Sequence, residues 1–314
     1  MANAAFNQRH LLGIEHLDAS EIDHILDTAD SFVEVSTRSI KKVPALKGRT
    51  VVNLFFENST RTRSSFEIAA KRLSADLINF NSSVSSLKKG ESLKDTVLTL
   101  EAMNPRIIVI RHSAAGSPKY LTTFARSSIV NAGDGFHEHP TQALLDALTI
   151  RQRFGKLRGL KIAIVGDILH SRVARSNLIL HQKMGNPVHL VGPPSLVPAE
   201  FERMGARVFN NLSAGVSGVD VVMMLRVQEE RGAGNYFPSI REYRRLFEIN
   251  AEVFAQAAPH AIVMHPGPLN RDVEIETSLA DSDRSVILQQ VNNGIAVRMA
   301  VLYLLKGESN ETAH

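Results

Sequence analysis

Ser59-Thr60-Arg61-Thr62-Arg63 sets five hydrogen-bond-donating side chains in a row, two residues after the apolar run Val51-Val52-Asn53-Leu54-Phe55-Phe56. A strand that runs into hydroxyls and guanidiniums, and then into the helix-like Ser64-Ser65-Phe66-Glu67-Ile68-Ala69-Ala70-Lys71-Arg72-Leu73, turns backbone N–H groups and positive dipole toward the turn. A phosphate is the kind of anion held that way. Ser64-x-x-Glu67 also fits a helical capping box, but capping uses one serine and one glutamate and leaves two arginines and two threonines over.

More polar groups sit where apolar runs end, the rim at which open α/β sheets bind ligands. Arg111-His112 closes Ile107-Ile108-Val109-Ile110, and both a solvated strand end and a site pair fit it. Asn131-Ala132-Gly133-Asp134-Gly135 and then His139-Pro140-Thr141-Gln142 put a histidine and an amide at the start of a helical pattern, where a histidine also serves as a plain cap. Ser85-Ser86-Leu87-Lys88-Lys89-Gly90-Glu91-Ser92 reads as a solvated loop or as a lid that carries a cation to an anionic substrate. Val165-Gly166-Asp167 leads to Ser171-Arg172 but lacks the second and third glycines of G-x-G-x-x-G, which excludes a nicotinamide site. Arg226-Val227-Gln228 follows Val221–Leu225. His265-Pro266-Gly267-Pro268 follows Ile262-Val263-Met264 as a structural turn, or as one whose second proline is cis and aims carbonyls into a cleft.

The histidines form no H-E-x-x-H array, the strand ends offer no paired carboxylates, and G-x-S-x-G is missing. No metal and no cofactor is expected. An inventory of fixed donors without a covalent or metal catalyst works by positioning and by stabilising developing negative charge.

These residues need a scaffold, and the sequence supplies one. Short β-rich runs, Val51–Phe56, Arg106–Arg111, Leu160–Gly166, Pro187–Val191, Val221–Leu225 and Ala261–His265, alternate with helical patterns. That alternation predicts an α/β protein with parallel sheets, whose strands are buried on both faces and so read as continuous apolar runs. Two sheets fit 314 residues better than one. A helical pattern over Thr141–Ile150 precedes the loop Phe154–Gly159, near which a lobe boundary is expected, bridged by that helix. Val286–Leu305 reads as a last helix whose middle is weakened by Asn292-Asn293-Gly294.

Composition narrows the classes. Hydrophobic residues make up 44% and charged residues 22%, values of a globular protein. A net charge of +4 without a basic block argues for local anion sites and against a nucleic-acid surface. Cysteine is absent, so disulfides, thiolate metal sites and cysteine nucleophiles are excluded, and an intracellular, cytoplasmic setting is expected. The first twenty residues show no signal-peptide pattern and the apolar runs are strand-sized, so no membrane span is expected.

Together, Ser59 to Arg63, Ser85 to Glu91, Arg111-His112, His139-Pro140-Thr141-Gln142, Arg172, Arg226-Val227-Gln228 and His265-Pro266-Gly267-Pro268 resemble the transcarbamoylase family, in the family's order and over nearly the whole chain. The resemblance implies two subdomains, each with a central parallel sheet flanked by helices, the C-terminal helix returning to the N-terminal one. Residues 1–145 with 292–314 would take carbamoyl phosphate, and 146–291 would take aspartate. Carried over, Ser59, Thr60, Arg61 and Thr62 hold the phosphate. Gln142 and the carbonyls of Gly267 and Pro268 bind the carbamoyl amino group, and Thr62, Arg111 and His139 contact its carbonyl oxygen as an oxyanion site. Arg172 and Arg226, with Gln228 and Lys89, meet the two carboxylates of L-aspartate. Ornithine-using members carry a cysteine in H-C-L-P, which this chain lacks. The loop with Ser85 and Lys89 would enter the site of the adjacent subunit, making a homotrimer with shared active sites the minimal active form. Gly267, where other members have leucine, argues against a zinc-bearing regulatory chain, and a dihydroorotase-like partner is left open.

Overall fold

The computed structural model describes residues 6–81, 91–227 and 239–305. The chain divides into two compact units, Met1–Leu148 with Asn292–His314, and Thr149–Val291. Each is built on its own parallel sheet.

In the first unit the strands are Thr50–Phe55 (β1), Asp76–Asn81 (β2), Ile107–His112 (β3) and Ser128–Asp134 (β4), in the order β2-β1-β3-β4. Val52, Leu54, Ile108, Ile110 and Ile129 pack against Val97, Leu100 and Leu121. Each large side chain so buried contributes about 1.5–3 kcal/mol. The helices are Ala19–Thr37 (α1), Thr60–Arg72 (α2), Leu93–Glu101 (α3) and Ser117–Leu121 (α4). Asp18 and Glu21 form a capping box that starts α1.

Pro140–Phe154 (α5) begins in the first unit and runs on into the second. The second sheet is Ile162–Val165 (β5), Val188–Val191 (β6), Arg207–Phe209 (β7), Val221–Met224 (β8) and Ile262–Met264 (β9), in the order β7-β6-β5-β8-β9. Val165, Val222, Met224 and Val263 join Tyr243, Phe247 and Phe254 in its core. Its helices are Arg172–Lys183 (α6), Leu212–Val216 (α7), Ile240–Phe247 (α8), Ala251–Phe254 (α9) and Thr277–Ala280 (α10).

Ile287–Leu304 (α11) is continuous through Asn292-Asn293-Gly294, where the sequence predicts a weak middle. Gly294 is there for space: a Cβ would lie 2.6 Å from Arg298 Nη1 and 3.3 Å from Leu145 Cδ2. The end of α11 meets α1 through Tyr303 and Phe32, whose rings touch edge to face at 5.7 Å.

Strands β2, β4 and β7 are absent from the sequence expectation. Asp76-Leu77-Ile78-Asn79-Phe80-Asn81 lies at a sheet edge and has no continuous apolar run, β7 has three residues, and β4 carries Asn131 and Asp134 inside a buried strand. Those two polar side chains satisfy each other at 2.8 Å, which makes their burial tolerable.

Candidate functional site

In the first sheet the strand order reverses at β1, which has β2 on one side and β3 on the other. Ligands bind outside the carboxyl ends of strands at such a switch point. Phe55 is paired with Arg111, and Phe56 N–H donates to the Arg111 carbonyl at 2.9 Å, so the turn after β1 and the end of β3 share one rim.

That turn differs from expectation in one respect. The helix α2 starts at Thr60, so Ser64 lies within it and forms no capping box. Ser59 is the N-cap residue, and its side chain makes no cap hydrogen bond. Thr60-Arg61-Thr62-Arg63 are therefore the first helical turn, in which the N–H groups of Thr60, Arg61 and Thr62 have no intrahelical acceptor. Arg63 N–H, bonded to the Ser59 carbonyl at 3.1 Å, is the first of the ladder. Thr62 is buried, whereas Thr60 and Arg61 are exposed.

Arg111 is almost wholly buried. Its Nη1 donates to the Ala132 carbonyl at 3.2 Å and its Nε pairs with Glu57 Oε2 at 3.2 Å. Its neighbour His112 faces the other way: the ring meets Phe56 edge to face, and Nδ1 accepts from Ala114 N–H at 2.9 Å. Burial pushes the His112 pKa down, with Glu57 opposing.

Beyond β4, Asp134 fixes the approach to α5. Its Oδ1 accepts from Asn131 and from Glu138 N–H, and its Oδ2 accepts from Gly116 N–H at 2.7 Å. His139 then precedes Pro140, and its carbonyl accepts the Gln142 N–H at 2.9 Å, the first bond of α5. The His139 side chain is buried, and Gln142 lies one turn along, its Nε2 donating to Asp146 Oδ1 at 2.9 Å. Thus Ser59 to Thr62, Arg111, His139 and Gln142 all come from the carboxyl ends of β1, β3 and β4 or the helix starts that follow. Glu15, His137 and Glu138 also bring ligand-type atoms within 4.8 Å of one another. Glu138, however, accepts Ile14 N–H at 2.8 Å and Glu15 N–H at 3.3 Å, so it serves the backbone.

The second sheet repeats the logic on its own. Its order reverses at β5, flanked by β6 and β8. Leu225 N–H donates to the Val165 carbonyl at 2.8 Å, placing the segments after β5 and β8 side by side. Gly166 has φ 129, and a Cβ there would lie 3.2 Å from the Leu225 carbonyl and Tyr243 Oη, so this close approach needs glycine. Asp167 pairs with His170 at 2.9 Å, Ser171 caps α6 by accepting Ala174 N–H, and Arg172 is the buried first residue of that helix. Arg226 is half-buried, and the next residue, Val227, donates its N–H to Glu274 Oε1 at 2.9 Å.

His265 N–H donates to Gln290 Oε1 at 3.0 Å, and His265 Nδ1 accepts Gly267 N–H at 2.8 Å. Gly267 sits at φ 69, and the Gly267–Pro268 bond is cis. Glu274 is fully buried and also accepts from Asn270 N–H at 2.8 Å and Asn270 Nδ2 at 2.7 Å. Burial pushes its pKa up, and the three donors oppose that. Ser85, Lys89 and Gln228 lie outside the described residues.

Sequence reading missed three residues that hold this machinery. Glu57 and Glu274 each act on a partner that only the fold supplies, whereas Asp146 acts on Gln142, one helical turn before it. The one visible signal was Asp146, a carboxylate in an otherwise apolar stretch four residues after Gln142.

Comparison with known proteins agrees with this geometry. Residues 9–152 match the model of the aspartate/ornithine carbamoyltransferase carbamoyl-P binding domain, and residues 158–305 match that of the Asp/Orn binding domain. The aspartate carbamoyltransferase catalytic subunit of Syntrophotalea carbinolica is 57% identical over 303 residues, covering 96% of this chain and 97% of that one. Its counterpart in Sorangium cellulosum is 58% identical over 306 residues, covering 98% and 95%. The crystal structure of aspartate transcarbamoylase from Trypanosoma cruzi in complex with carbamoyl phosphate and aspartate superposes with a TM-score of 0.84 at 31% identity, covering 94% of this chain and 95% of that one.

Proposed function

The chain belongs to the aspartate/ornithine carbamoyltransferase family, and from that premise we propose that it transfers the carbamoyl group of carbamoyl phosphate to the amino group of L-aspartate, giving N-carbamoyl-L-aspartate and phosphate. The observation that carries the reading is the first turn of α2: Ser59 to Thr62 head a helix just outside the switch point of a parallel sheet, with Arg111 paired beside the strand that leads to them. Helical N–H groups without an intrahelical acceptor, hydroxyls and a guanidinium in that position suit the phosphate of an acyl phosphate.

The chemistry follows from the donors. Ser59, Thr60, Arg61 and Thr62 hold the phosphate, and Thr62, Arg111 and His139 donate to the carbamoyl oxygen. The lone pair of the aspartate amine forms the new N–C bond, and negative charge grows on that oxygen, where fixed donors act most strongly. The C–O bond to phosphate then breaks, and the departing phosphate takes the amine proton, so no side-chain base is required. Gln142 and the carbonyls of Gly267 and Pro268 accept from the carbamoyl amino group. Arg172, Arg226, Gln228 and Lys89 meet the two carboxylates of aspartate, a charge match that ornithine does not offer.

The working form is a homotrimer in the cytoplasm, serving pyrimidine synthesis, with Ser85 and Lys89 supplied by the neighbouring subunit. Among the described residues no helix is long and apolar enough to cross a membrane. One assay separates the substrates. Purified protein given carbamoyl phosphate with aspartate, ornithine or N-acetylornithine should form a ureido product with aspartate alone, and comparable turnover of ornithine would overturn the assignment.

A further inference from the structure

Gln142 is held by a carboxylate. Its Nε2 donates to Asp146 Oδ1 at 2.9 Å, one helical turn along α5, and Asp146 is fully buried. An ionised carboxylate only accepts hydrogen bonds, so the amide can present nothing but its NH2 group to Asp146. The Gln142 oxygen is thereby turned away, and it accepts from none of the described residues.

Asp146 also acts through its charge on a buried cation. The Asp146 carboxylate acts on Arg298 of α11, which is 4% exposed and which burial holds down to about 10. Arg298 Nη1 donates to the Gly294 carbonyl at 3.0 Å, and its guanidinium carbon lies 5.1 Å from the centre of the Phe66 ring. Phe66 is on α2, two turns below Thr60 and its neighbours. Phe66 and Arg298 are thus in ring contact, and the charge of Asp146 acts on Arg298, all within one unit.

We propose that Asp146 is a positioning residue that fixes the orientation of the Gln142 amide, so that its oxygen accepts from the amino group of the carbamoyl donor. The proposal deepens the carbamoyl-transfer reading and rests on it. It assigns Asp146 the recognition of the donor's NH2 group as distinct from its phosphate. In Asp146→Asn the positive charge of Arg298 favours the new amide's oxygen on its side, and the NH2 is offered to Gln142. Gln142 must then reverse, and two NH2 groups face each other across the donor site.

The test compares three ligands in the absence of aspartate, by calorimetric titration of wild type and Asp146→Asn: carbamoyl phosphate, acetyl phosphate, which carries methyl in place of NH2, and inorganic phosphate. Carbamoyl phosphate should bind about tenfold more weakly to the variant, the loss of one well-made hydrogen bond, while the other two change by less than about twofold. Equal weakening of all three would show a merely structural role and overturn the proposal, as would unchanged binding of carbamoyl phosphate. Should Asp146→Asn fail to fold, the double variant Asp146→Leu with Arg298→Met, which strands no buried charge and leaves Gln142 without its acceptor, is read by the same criteria. A wild type that binds phosphate but not carbamoyl phosphate would sink the carbamoyl-transfer reading itself, a result distinct from the selective loss.

Discussion

Glu274 Oε1 accepts the backbone N–H of Val227 at 2.9 Å, so a fully buried acid from the segment after β9 fixes the residue between Arg226 and Gln228. The same carboxylate holds Asn270, three residues after Gly267. Glu274→Ala leaves the Val227 N–H stranded, a loss of about 1–3 kcal/mol. The KM for aspartate should rise by about tenfold, while that for carbamoyl phosphate, whose proposed partners are mainly groups of the other unit, moves less. Steady-state kinetics with each substrate varied in turn decides it, and an equal rise in both values would show a general loss of structure.

In the proposed mechanism Arg111 meets growing charge, and Ala132 and Glu57 hold it in one orientation. Arg111→Ala should lower kcat by about two to three orders of magnitude, the usual cost of one donor to an oxyanion. Arg111→Lys keeps the charge but loses the planar fork, and should fall between the two. Rapid-quench measurement of the chemical step checks both, and a lysine variant as slow as the alanine one would mean that geometry alone matters at this position.

Much of this was legible before any fold was known, for physical reasons. Strands β1, β3, β5 and β8 are buried on both faces and read as apolar runs, and Arg111 and Arg226 stood out as charge at their ends. Ser59 to Arg63 stood out because capping could not use so many donors. The start of α2 was misjudged because the turn residues themselves are its first turn, and propensity does not reveal that. Glu57 and Glu274 are silent in the sequence because a carboxylate among polar neighbours reads as surface until its partner is known. One pairs with a cation and the other accepts a backbone N–H from another segment, and no spacing rule announces such pairs.

His181 predicts an acid sensitivity of the second unit. The ring is completely buried, Nδ1 meets Asn186 Nδ2 at 3.0 Å, and Nε2 has no partner among the described residues. Burial lowers its pKa from 6.5 to about 4. The folded protein therefore keeps this ring neutral where the unfolded chain already binds a proton, and stability is lost as pH falls from 6.5 toward 4. The full loss is about 3 kcal/mol. Urea unfolding of wild type and His181→Gln at several pH values should show their stabilities converging as pH drops from 7 to 4, and a constant difference would exonerate the histidine.

The proposed sharing of sites between subunits makes a prediction about mixtures. If Lys89 reaches the neighbouring subunit, a chain lacking Lys89 still offers an intact Arg111 to its neighbour, and a chain lacking Arg111 still lends its Lys89. Lys89→Ala alone should lose a charge-assisted contact of about 1.5–3 kcal/mol, mostly in the transition state. Lys89→Ala and Arg111→Ala chains are each nearly inactive as pure trimers, because every site in either one lacks a group. A mixed trimer brings at least one Arg111 from one chain together with Lys89 from another, so activity should reappear after the subunits exchange. Native mass spectrometry of differently tagged chains verifies the exchange, and mixed trimers without recovered activity would place Lys89 in its own subunit's site.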